Sequence, residues 1–430
     1  MRTKGERKLK VLVSAYACNP AVSPRLHPGE DLVGWNLVVR LARSHDLWII
    51  AHDYNRQEIE RVTQEKSSEG LNFIFVKLPS VIRLLYKIGF GERIYYYLWQ
   101  IAAWRTAVRL HRIHRFDLSH HLTFGNYWMP SFIGAFLPIP FIWGPIGGGQ
   151  KIPRSYRREF SLKERWSEYA RDGAQWIGRH LLISRKLCMR RARAILVCNS
   201  ETKAKFPTKY WAKIQYFPVN GISRKEMGSL APSGLKERTY RLVTAGRFIR
   251  LKGFDILLRA YADFLQSGIR AELAIIGQGP EEMRLRQLAR SLKIDRFVRF
   301  IIWLSRRELL SRLRRSDVFL FASLRDGGGA VVVEAMASGI PVVCLNIGGP
   351  GFHTRMEWGM KIHPGPPEET VRGFSKAISR LAGQRSLRRA LGRAGRKRTL
   401  EYYLWDRLGE RIENIYRRAF YESCSRPVME

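Results

Sequence analysis

The chain has 430 residues, of which 45% are apolar and 26% charged, a globular composition with room for two domains. This excludes a disordered or fibrous protein, and no apolar run reaches the roughly eighteen residues that a membrane-spanning helix needs. The net charge of +38 indicates an anionic partner: nucleic acid, anionic lipid or a phosphorylated substrate. The cysteines lack CxxC spacing, which argues against a disulfide framework or a zinc site and favours a reducing compartment: Cys18, Cys188, Cys198, Cys344 and Cys424.

The N-terminal part alternates short apolar runs with helical patterns, as parallel α/β sheets do. Lys10 to Ala15 and Leu47 to Ala51 are predicted to be buried strands, and the helical pattern between them starts at Gly34. The glycines near the start of that helix stand where phosphate-binding loops stand, but the stretch lacks a GxGxxG motif. A phosphate-binding loop and a loop that merely turns the chain both fit this pattern.

Two stretches combine aromatic side chains with many bases. Residues 81–115 have helical spacing with a broad apolar face. This fits an interfacial helix lying on a membrane or a core helix whose basic side chains extend to solvent, and we expect a mixture of the two, with part of the apolar face exposed. Residues 151–193 carry thirteen Lys or Arg against four acids, interleaved with Trp166, Tyr169 and Trp176. The second stretch fits a solvated face, a nucleic-acid patch or a surface for anionic lipid.

Histidines stand near the end of the next predicted strand, Asp117 to Thr123. His120 and His121 point in opposite directions in an extended strand, so at most one of them faces a ligand. A buried, hydrogen-bonded histidine is the ordinary alternative. A strand predicted over 141–143 leads into a glycine-rich turn over 144–149, at the same edge of the sheet.

Two cations bracket a loop at the start of the second half of the chain. Tyr240 to Ala245 is predicted to be a strand, and Arg247 and Lys252 follow it, just before a helix predicted over 255–265. A planar guanidinium and a mobile ammonium beside a helix N-terminus suit a diphosphate. The same pair on an isolated helix is ordinarily a solvated face.

The most informative stretch covers residues 321–351 and contains a strand end, three consecutive glycines, a helix and a second strand. Glycines remove side chains where a ligand approaches the backbone, and the following helix directs its unpaired N–H groups to the same place. Asp326 and Glu334 are predicted to face one cleft at the carboxyl end of the sheet. The alternative is that acids merely favour the first turns of helices.

The run from Asp326 through Glu334-Ala-Met-Ala-Ser-Gly-Ile-Pro-Val-Val343 resembles the retaining GT-B glycosyltransferases of the family-four type, the group 1 glycosyl transferases. Their pattern is an acid, seven residues and a Glu that opens an EAMAxGxPVV-like run. This chain has Asp for the usual first Glu, followed by Gly-Gly-Gly. The resemblance implies an α/β fold of GT-B type, with two Rossmann-like domains whose parallel sheets face an interdomain cleft.

The same resemblance divides the chain into four parts. Residues 1–221 are expected to form an N-terminal Rossmann-like acceptor domain, and residues 222–239 a linker. Residues 240–400 are expected to form a C-terminal Rossmann-like nucleotide-sugar domain. Residues 401–430 resemble the family's C-terminal helix, which packs back on the N-terminal domain.

The resemblance also implies roles for individual residues. Arg247 and Lys252 neutralise the leaving diphosphate, and Glu334 holds the ribose hydroxyls. Asp326 contacts the transferred sugar, aided by the backbone N–H groups of the glycines that follow it. The implied donor-binding residues are Gly34, Arg247, Lys252, Gly277, Gly279, Asp326, Gly327, Gly328, Gly329 and Glu334.

The implied activity is transfer of a sugar from a nucleotide-diphosphate sugar to a glycan or lipid-linked acceptor, with retention, in polysaccharide or glycoconjugate synthesis. His120, with His121 as the alternative, stands at the junction of sugar and acceptor, so the implied catalytic residues are His120, Asp326, Arg247 and Lys252. The chain has no DxD motif, so we expect no metal, and the donor is a co-substrate rather than a cofactor.

We expect a cytoplasmic protein held peripherally on an anionic membrane surface at its inner face, with no nucleic-acid partner. Two other functions fit parts of the same evidence. One is a nucleotide-sugar epimerase of the same fold, which consumes its sugar nucleotide without an acceptor. The other is a non-catalytic basic nucleic-acid-binding protein, which the net charge alone suggests.

Overall fold

The computed structural model describes residues 7–20, 28–65, 69–82, 91–158, 160–228, 239–302 and 304–424. Its frame is two all-parallel sheets, one in each half of the chain. Most of the predicted linker and Trp303 lie outside the described residues. Among the described helices, none is both long enough and apolar enough to cross a membrane.

The first sheet has seven strands in the order β3-β2-β1-β4-β5-β6-β7. The order reverses between β1 and β4, which creates a crevice at the carboxyl ends of the strands. Its central strands are buried along almost their whole length because helices cover both faces. The strands are β1 (Lys10–Ser14), β2 (Asp46–His52), β3 (Leu71–Val76), β4 (Leu118–His121), β5 (Phe141–Ile146), β6 (Ala192–Val197) and β7 (Ile214–Tyr216).

The second sheet has six strands in the order β10-β9-β8-β11-β12-β13, and it reverses between β8 and β11. The predicted α/β fold with two parallel sheets is therefore confirmed. The strands are β8 (Tyr240–Ala245), β9 (Ala271–Ile276), β10 (Val298–Ile301), β11 (Val318–Phe321), β12 (Val342–Leu345) and β13 (Gly359–Ile362).

Helices connect the strands on both faces of each sheet, as parallel pairing requires. The first nine precede the second sheet: α1 (Pro28–Leu41), α2 (Arg56–Glu65), α3 (Gly91–His114), α4 (Phe132–Phe136), α5 (Arg154–Arg157), α6 (Leu162–His180), α7 (Ile183–Arg191), α8 (Ser200–Lys203) and α9 (Arg224–Met227). The others are α10 (Phe254–Leu265), α11 (Glu282–Ser291), α12 (Arg306–Arg314), α13 (Ala330–Ala337), α14 (Gly348–His353), α15 (Pro367–Gly383), α16 (Arg385–Tyr402) and α17 (Trp405–Cys424).

The last helix, α17, returns to the first sheet. Its residues Trp405, Leu408, Ile412 and Tyr416 are buried in the same core cluster as β1 and α1. Burial of each side chain of this size stabilises the folded state by roughly 1.5–3 kcal/mol relative to exposure. This packing therefore holds the C-terminal helix against the N-terminal domain.

The helix within residues 81–115 belongs to the core. The aromatic side chains Tyr95, Tyr96 and Trp99 of α3 are buried against β1 and β2, although Ile94 and Ile113 remain exposed. Residues 91–114 therefore form a core helix with part of its apolar surface exposed, as the mixed interpretation predicts. Residues 83–90 of this stretch lie outside the described residues.

Candidate functional site

The carboxyl ends of both sheets open into one cleft between the domains. It contains two adjoining cavities of about 650 and 760 Å³, which share Gly29, Asn220, Arg247 and Ala330 in their walls. Such volumes fall in the range of small-molecule sites. Nine of the eleven predicted residues line these cavities: Arg247, Lys252, Gly277, Gly279, Asp326, Gly327, Gly328, Gly329 and Glu334.

The carboxylate of Asp326, in the loop between β11 and α13, is held by hydrogen bonds and an ion pair. One carboxylate oxygen accepts hydrogen bonds from the N–H groups of Gly328 and Gly329, at 3.1 and 2.7 Å, and the other accepts from Lys252 Nζ at 2.5 Å. Burial alone would raise the pKa of Asp326, but Lys252 and the two N–H groups hold it below its usual value. The expectation that these N–H groups serve the sugar is wrong here, because Asp326 itself occupies them.

Backbone contacts with the start of α14 hold the same loop in place. Gly329 adopts φ +63°, a left-handed conformation that starts α13. Gly349 N–H donates to the carbonyl oxygen of Asp326 at 2.9 Å, and a Cβ on Gly348 would lie 2.1 Å from that oxygen. The glycines thus permit close packing of two loops, which sets the position of the carboxylate.

The two predicted cations lie on different parts of the cleft wall. Lys252 ends a short 3-10 turn, and Gly253 at φ +62° redirects the chain into α10. Arg247 is exposed and lines both cavities. Within the described part of the chain no carboxylate lies within ion-pair distance of Arg247, so its charge faces the cleft.

Glu334 is buried in the middle of α13 and forms an ion pair with Arg306, the first residue of α12. Arg306 also pairs with Glu226, whose own pKa burial would raise but Arg306 lowers. Arg306 was not predicted from the sequence. The only motif around it is the helix-capping box Ser305-x-x-Glu308, which does not indicate a binding site. Arg306 lines the larger cavity beside Glu334 and fixes that carboxylate.

Gly277 and Gly279 follow β9 and form a bare stretch of cavity wall. A Cβ on Gly277 would lie 1.9 Å from the carbonyl oxygen of Gly246, and one on Gly279 would lie 2.5 Å from that of Phe248. Only glycine fits at these positions, because the turn that follows β9 packs its backbone directly against the backbone of the turn that follows β8.

Two residues of the predicted site do not line the cleft. His120 is buried: its ring nitrogens lie 2.6 Å from the Tyr416 hydroxyl and 2.6 Å from the carbonyl oxygen of Gly144. Burial lowers its pKa to about 4, so the ring is neutral. His121 is buried as well, with Tyr96 as its partner at 3.2 Å. Both side chains pack inside the first domain, and the assignment of His120 to the sugar–acceptor junction is corrected accordingly.

Gly34 lies inside α1, which starts six residues earlier than the predicted helix. A Cβ there would lie 2.3 Å from the carbonyl oxygen of Ala17, so this glycine lets α1 pack against the loop after β1. Gly29, at the start of α1, lines both cavities instead. Gly29 rather than Gly34 lies at the cleft because the helix begins at Pro28.

Gly34→Ala is expected to destabilise the protein by about 1–3 kcal/mol, since the added methyl group overpacks a backbone contact. The matched control is Gly173→Ala in α6, where a Cβ meets nothing within 4 Å. There alanine should stabilise the protein by roughly 0.5–1 kcal/mol through helix propensity. Urea unfolding of both variants measures the two effects. Equal stabilisation by both substitutions would contradict the packing described for Gly34.

First-domain side chains that were not predicted from the sequence contact the loop of residues 326–329 and the start of α14. Asn199 Nδ2 donates to the carbonyl oxygen of Gly327 at 3.2 Å, and Gly348 N–H donates to Glu201 at 2.9 Å. His353, of the second domain, lies 2.9 Å from the carbonyl oxygen of Gly328. The only available signal was the position of Asn199 directly after an apolar strand.

A separate cavity of about 610 Å³ lies at the amino ends of the first sheet's strands. Its walls include Pro140, Arg190, Lys213 and Arg418, and it contains none of the predicted residues. Ligands of open α/β sheets bind at the carboxyl ends, so the interdomain cleft is the candidate site.

Comparisons with known proteins agree with this geometry. Residues 229–398 match the family model described as glycosyl transferases group 1. D-inositol 3-phosphate glycosyltransferase from Corynebacterium jeikeium is 30% identical over 204 residues, which cover 46% of this chain and 48% of that protein. The chain thus spans about half the length of the curated relatives that it matches first.

Two solved structures extend the likeness to nearly the whole chain. Sucrose-phosphate synthase from Thermosynechococcus elongatus superposes with a TM-score of 0.65 at 17% identity, covering 97% of this chain and 100% of that one. HepE from Anabaena, in complex with UDP and glucose, gives 0.59 at 14% identity, with 95% and 99% covered. The fold is GT-B. In this GT-B chain, the resemblance to group 1 glycosyl transferases extends across the segment that carries Arg247, Lys252, Asp326 and Glu334.

Proposed function

We propose that this GT-B protein is a retaining glycosyltransferase of the family-four type that uses a nucleoside-diphosphate sugar. The single observation that carries the proposal is the convergence of Arg247, Lys252, Asp326 and Glu334 on one interdomain cleft. These residues belong to the segment that matches the group 1 model. HepE, of the same fold, was solved with UDP and glucose, which supports a nucleotide sugar as the ligand.

Each group of the cleft has a task in this reaction. Glu334, held by Arg306, accepts hydrogen bonds from the ribose hydroxyls. Gly277 and Gly279 give the nucleoside a wall without side chains. Arg247 and Lys252 stabilise the negative charge that develops on the diphosphate as the glycosidic bond breaks, and the N-terminus of α13 adds its dipole.

Asp326 acts mainly as a positioning group. Because Lys252 and two backbone N–H groups already engage its carboxylate, it holds the ammonium where the diphosphate binds and presents its remaining lone pairs to the sugar. Cations and helix dipoles suffice for the leaving group, so we propose a reaction that needs no metal ion. Retention is proposed because Asp326-x7-Glu334 resembles the motif of the retaining family-four enzymes.

The acceptor is proposed to be a glycan or a lipid-linked glycan. Asn126, Gly147 and Gly148 of the first domain line the cavity together with the loop of residues 326–329, and this space is open to solvent. We propose that the protein acts in the cytoplasm, on the inner face of the membrane, where nucleotide sugars are available to it.

The test is a thermal-shift screen with UDP, GDP and ADP, followed by NMR of the matching nucleotide sugars. One nucleotide should raise Tm, and slow hydrolysis of its sugar conjugate should release the same anomer first, with unchanged rate in EDTA. No shift with any of the three nucleotides would contradict the proposal. Conversion of the donor into an isomeric sugar nucleotide would show the same-fold epimerase instead.

A further inference from the structure

Helix α6 presents its apolar face to solvent. Trp166 is 73% exposed and Trp176 58%, although both belong to a regular nineteen-residue helix. At 3.6 residues per turn the exposed apolar side chains fall within a stripe about 100° wide. The stripe consists of Leu162, Trp166, Tyr169, Trp176 and Ile177, and exposed Leu181 and Ile183 continue it at the start of α7.

The polar face of α6 is the buried one. Glu168 pairs with Arg325 across the domains, and Gln175 lies beside the Tyr127 hydroxyl at 2.9 Å. Arg171 donates to the carbonyl oxygens of Gly148 and Gln150, at 3.3 and 3.4 Å. A surface helix ordinarily buries its apolar stripe, so this reversed arrangement marks an interaction surface.

Charge identifies the occupant of that surface. The stripe is bordered by exposed bases, and residues 151–193 hold thirteen Lys or Arg against four acids. A second copy, also at +38, would be repelled, whereas anionic headgroups attract the bases while tryptophan and tyrosine insert at the interface. The exposed bases of this stretch include Arg154, Arg158, Lys163, Arg179 and Lys186.

We propose that the outward face of α6, with the start of α7, docks the protein on an anionic lipid bilayer. The opposite face of the same helix contacts Gly148, which lines the cleft, and Arg325, which precedes Asp326. The bilayer therefore lies about one helix diameter, roughly 10 Å, from the acceptor side of the cleft. Given the proposed transferase function, this orientation faces the cleft toward acceptors carried by the membrane.

The test is vesicle flotation of the full chain at 100 mM salt, with phosphatidylcholine vesicles that contain or lack 30% phosphatidylglycerol. The variant is Leu162→Ser/Trp166→Ser/Trp176→Ser, and the matched control is Met283→Ser/Met356→Ser, two exposed apolar residues of the second domain. We expect the wild type and the control to float only with phosphatidylglycerol. The α6 variant should lose at least tenfold in its bound-to-free ratio.

Failure of docking and failure of the proposed function give different results. The α6 variant should keep the wild-type Tm and the full nucleotide-induced Tm shift, since its substituted side chains are exposed and lie outside the cleft. Equal flotation of variant and wild type, or binding that ignores phosphatidylglycerol, would overturn the docking proposal. So would light scattering that shows a wild-type dimer which the α6 variant dissociates.

Discussion

Replacing Lys252 by methionine should lower the rate of sugar transfer, or of slow donor hydrolysis, by one to two orders of magnitude. A charge-assisted hydrogen bond contributes roughly 1.5–3 kcal/mol, and each 1.4 kcal/mol is about tenfold in rate. Methionine keeps an unbranched apolar side chain but removes the ammonium group, including its cation–π contact with the ring of Phe321. The loss would therefore report the missing charge at the diphosphate.

The same substitution should also change the stability, because Lys252 neutralises Asp326. With lysine present the pKa of Asp326 lies below its usual value, so this contribution is present above the unfolded-state pKa, about 3.9 for aspartate, and is lost as pH falls through the folded-state pKa. Without lysine, burial dominates and raises that pKa. The Asp326 carboxyl of the variant then binds a proton more tightly in the folded state than in the unfolded state. The stability of the variant therefore falls as pH rises through this raised pKa.

Urea unfolding between pH 3 and pH 7 measures this reversal of slope for Lys252→Met against wild type. The double variant Lys252→Met/Asp326→Asn removes the stranded carboxylate, so its stability should recover while its transfer rate stays low. Lys376→Met, an exposed lysine of α15, controls for loss of one charge. Transfer within twofold of wild type for Lys252→Met would remove this lysine from the mechanism.

The residues that the sequence located correctly belong to contiguous motifs. Asp326 and Glu334 are separated by one loop and little more than one helical turn, so local geometry alone brings both to the same edge of the sheet. Arg247 and Lys252 flank a single turn after β8. Such short-range relations follow from strand, turn and helix rules, which a sequence displays directly.

The residues that the sequence misplaced depend on distant partners. The ring of His120 is oriented by a hydrogen bond with Tyr416, which lies 296 positions away in the chain. This contact keeps the His120 side chain in the first-domain core. Arg306 reaches Glu226, 80 positions earlier, across the start of the second domain. A strand pattern shows that side chains alternate between the two faces, but it does not show which helix covers each face. Neither the His120–Tyr416 contact nor the Arg306–Glu226 contact could therefore be predicted.

The last expected result concerns Glu334→Gln, which should remove most of the nucleotide-induced stabilisation. At a nucleotide concentration of about 100 Kd the wild type gains about 2.7 kcal/mol. Loss of a charge-assisted contact to the ribose, roughly 1.5–3 kcal/mol, weakens binding at least tenfold and reduces that gain to half or less. Thermal shift with the nucleotide found for the wild type gives the measurement.

Glu226→Gln is the matched control, because Glu226 pairs with the same Arg306 but does not line the cavity that Glu334 lines. Each variant breaks one half of the Glu226–Arg306–Glu334 bridge, so both should lose stability without ligand, and only Glu334→Gln should also lose the nucleotide response. If both variants lose that response equally, the bridge as a whole shapes the site. If neither does, Glu334 is a structural acid of α13, and the ribose binds elsewhere along the cleft.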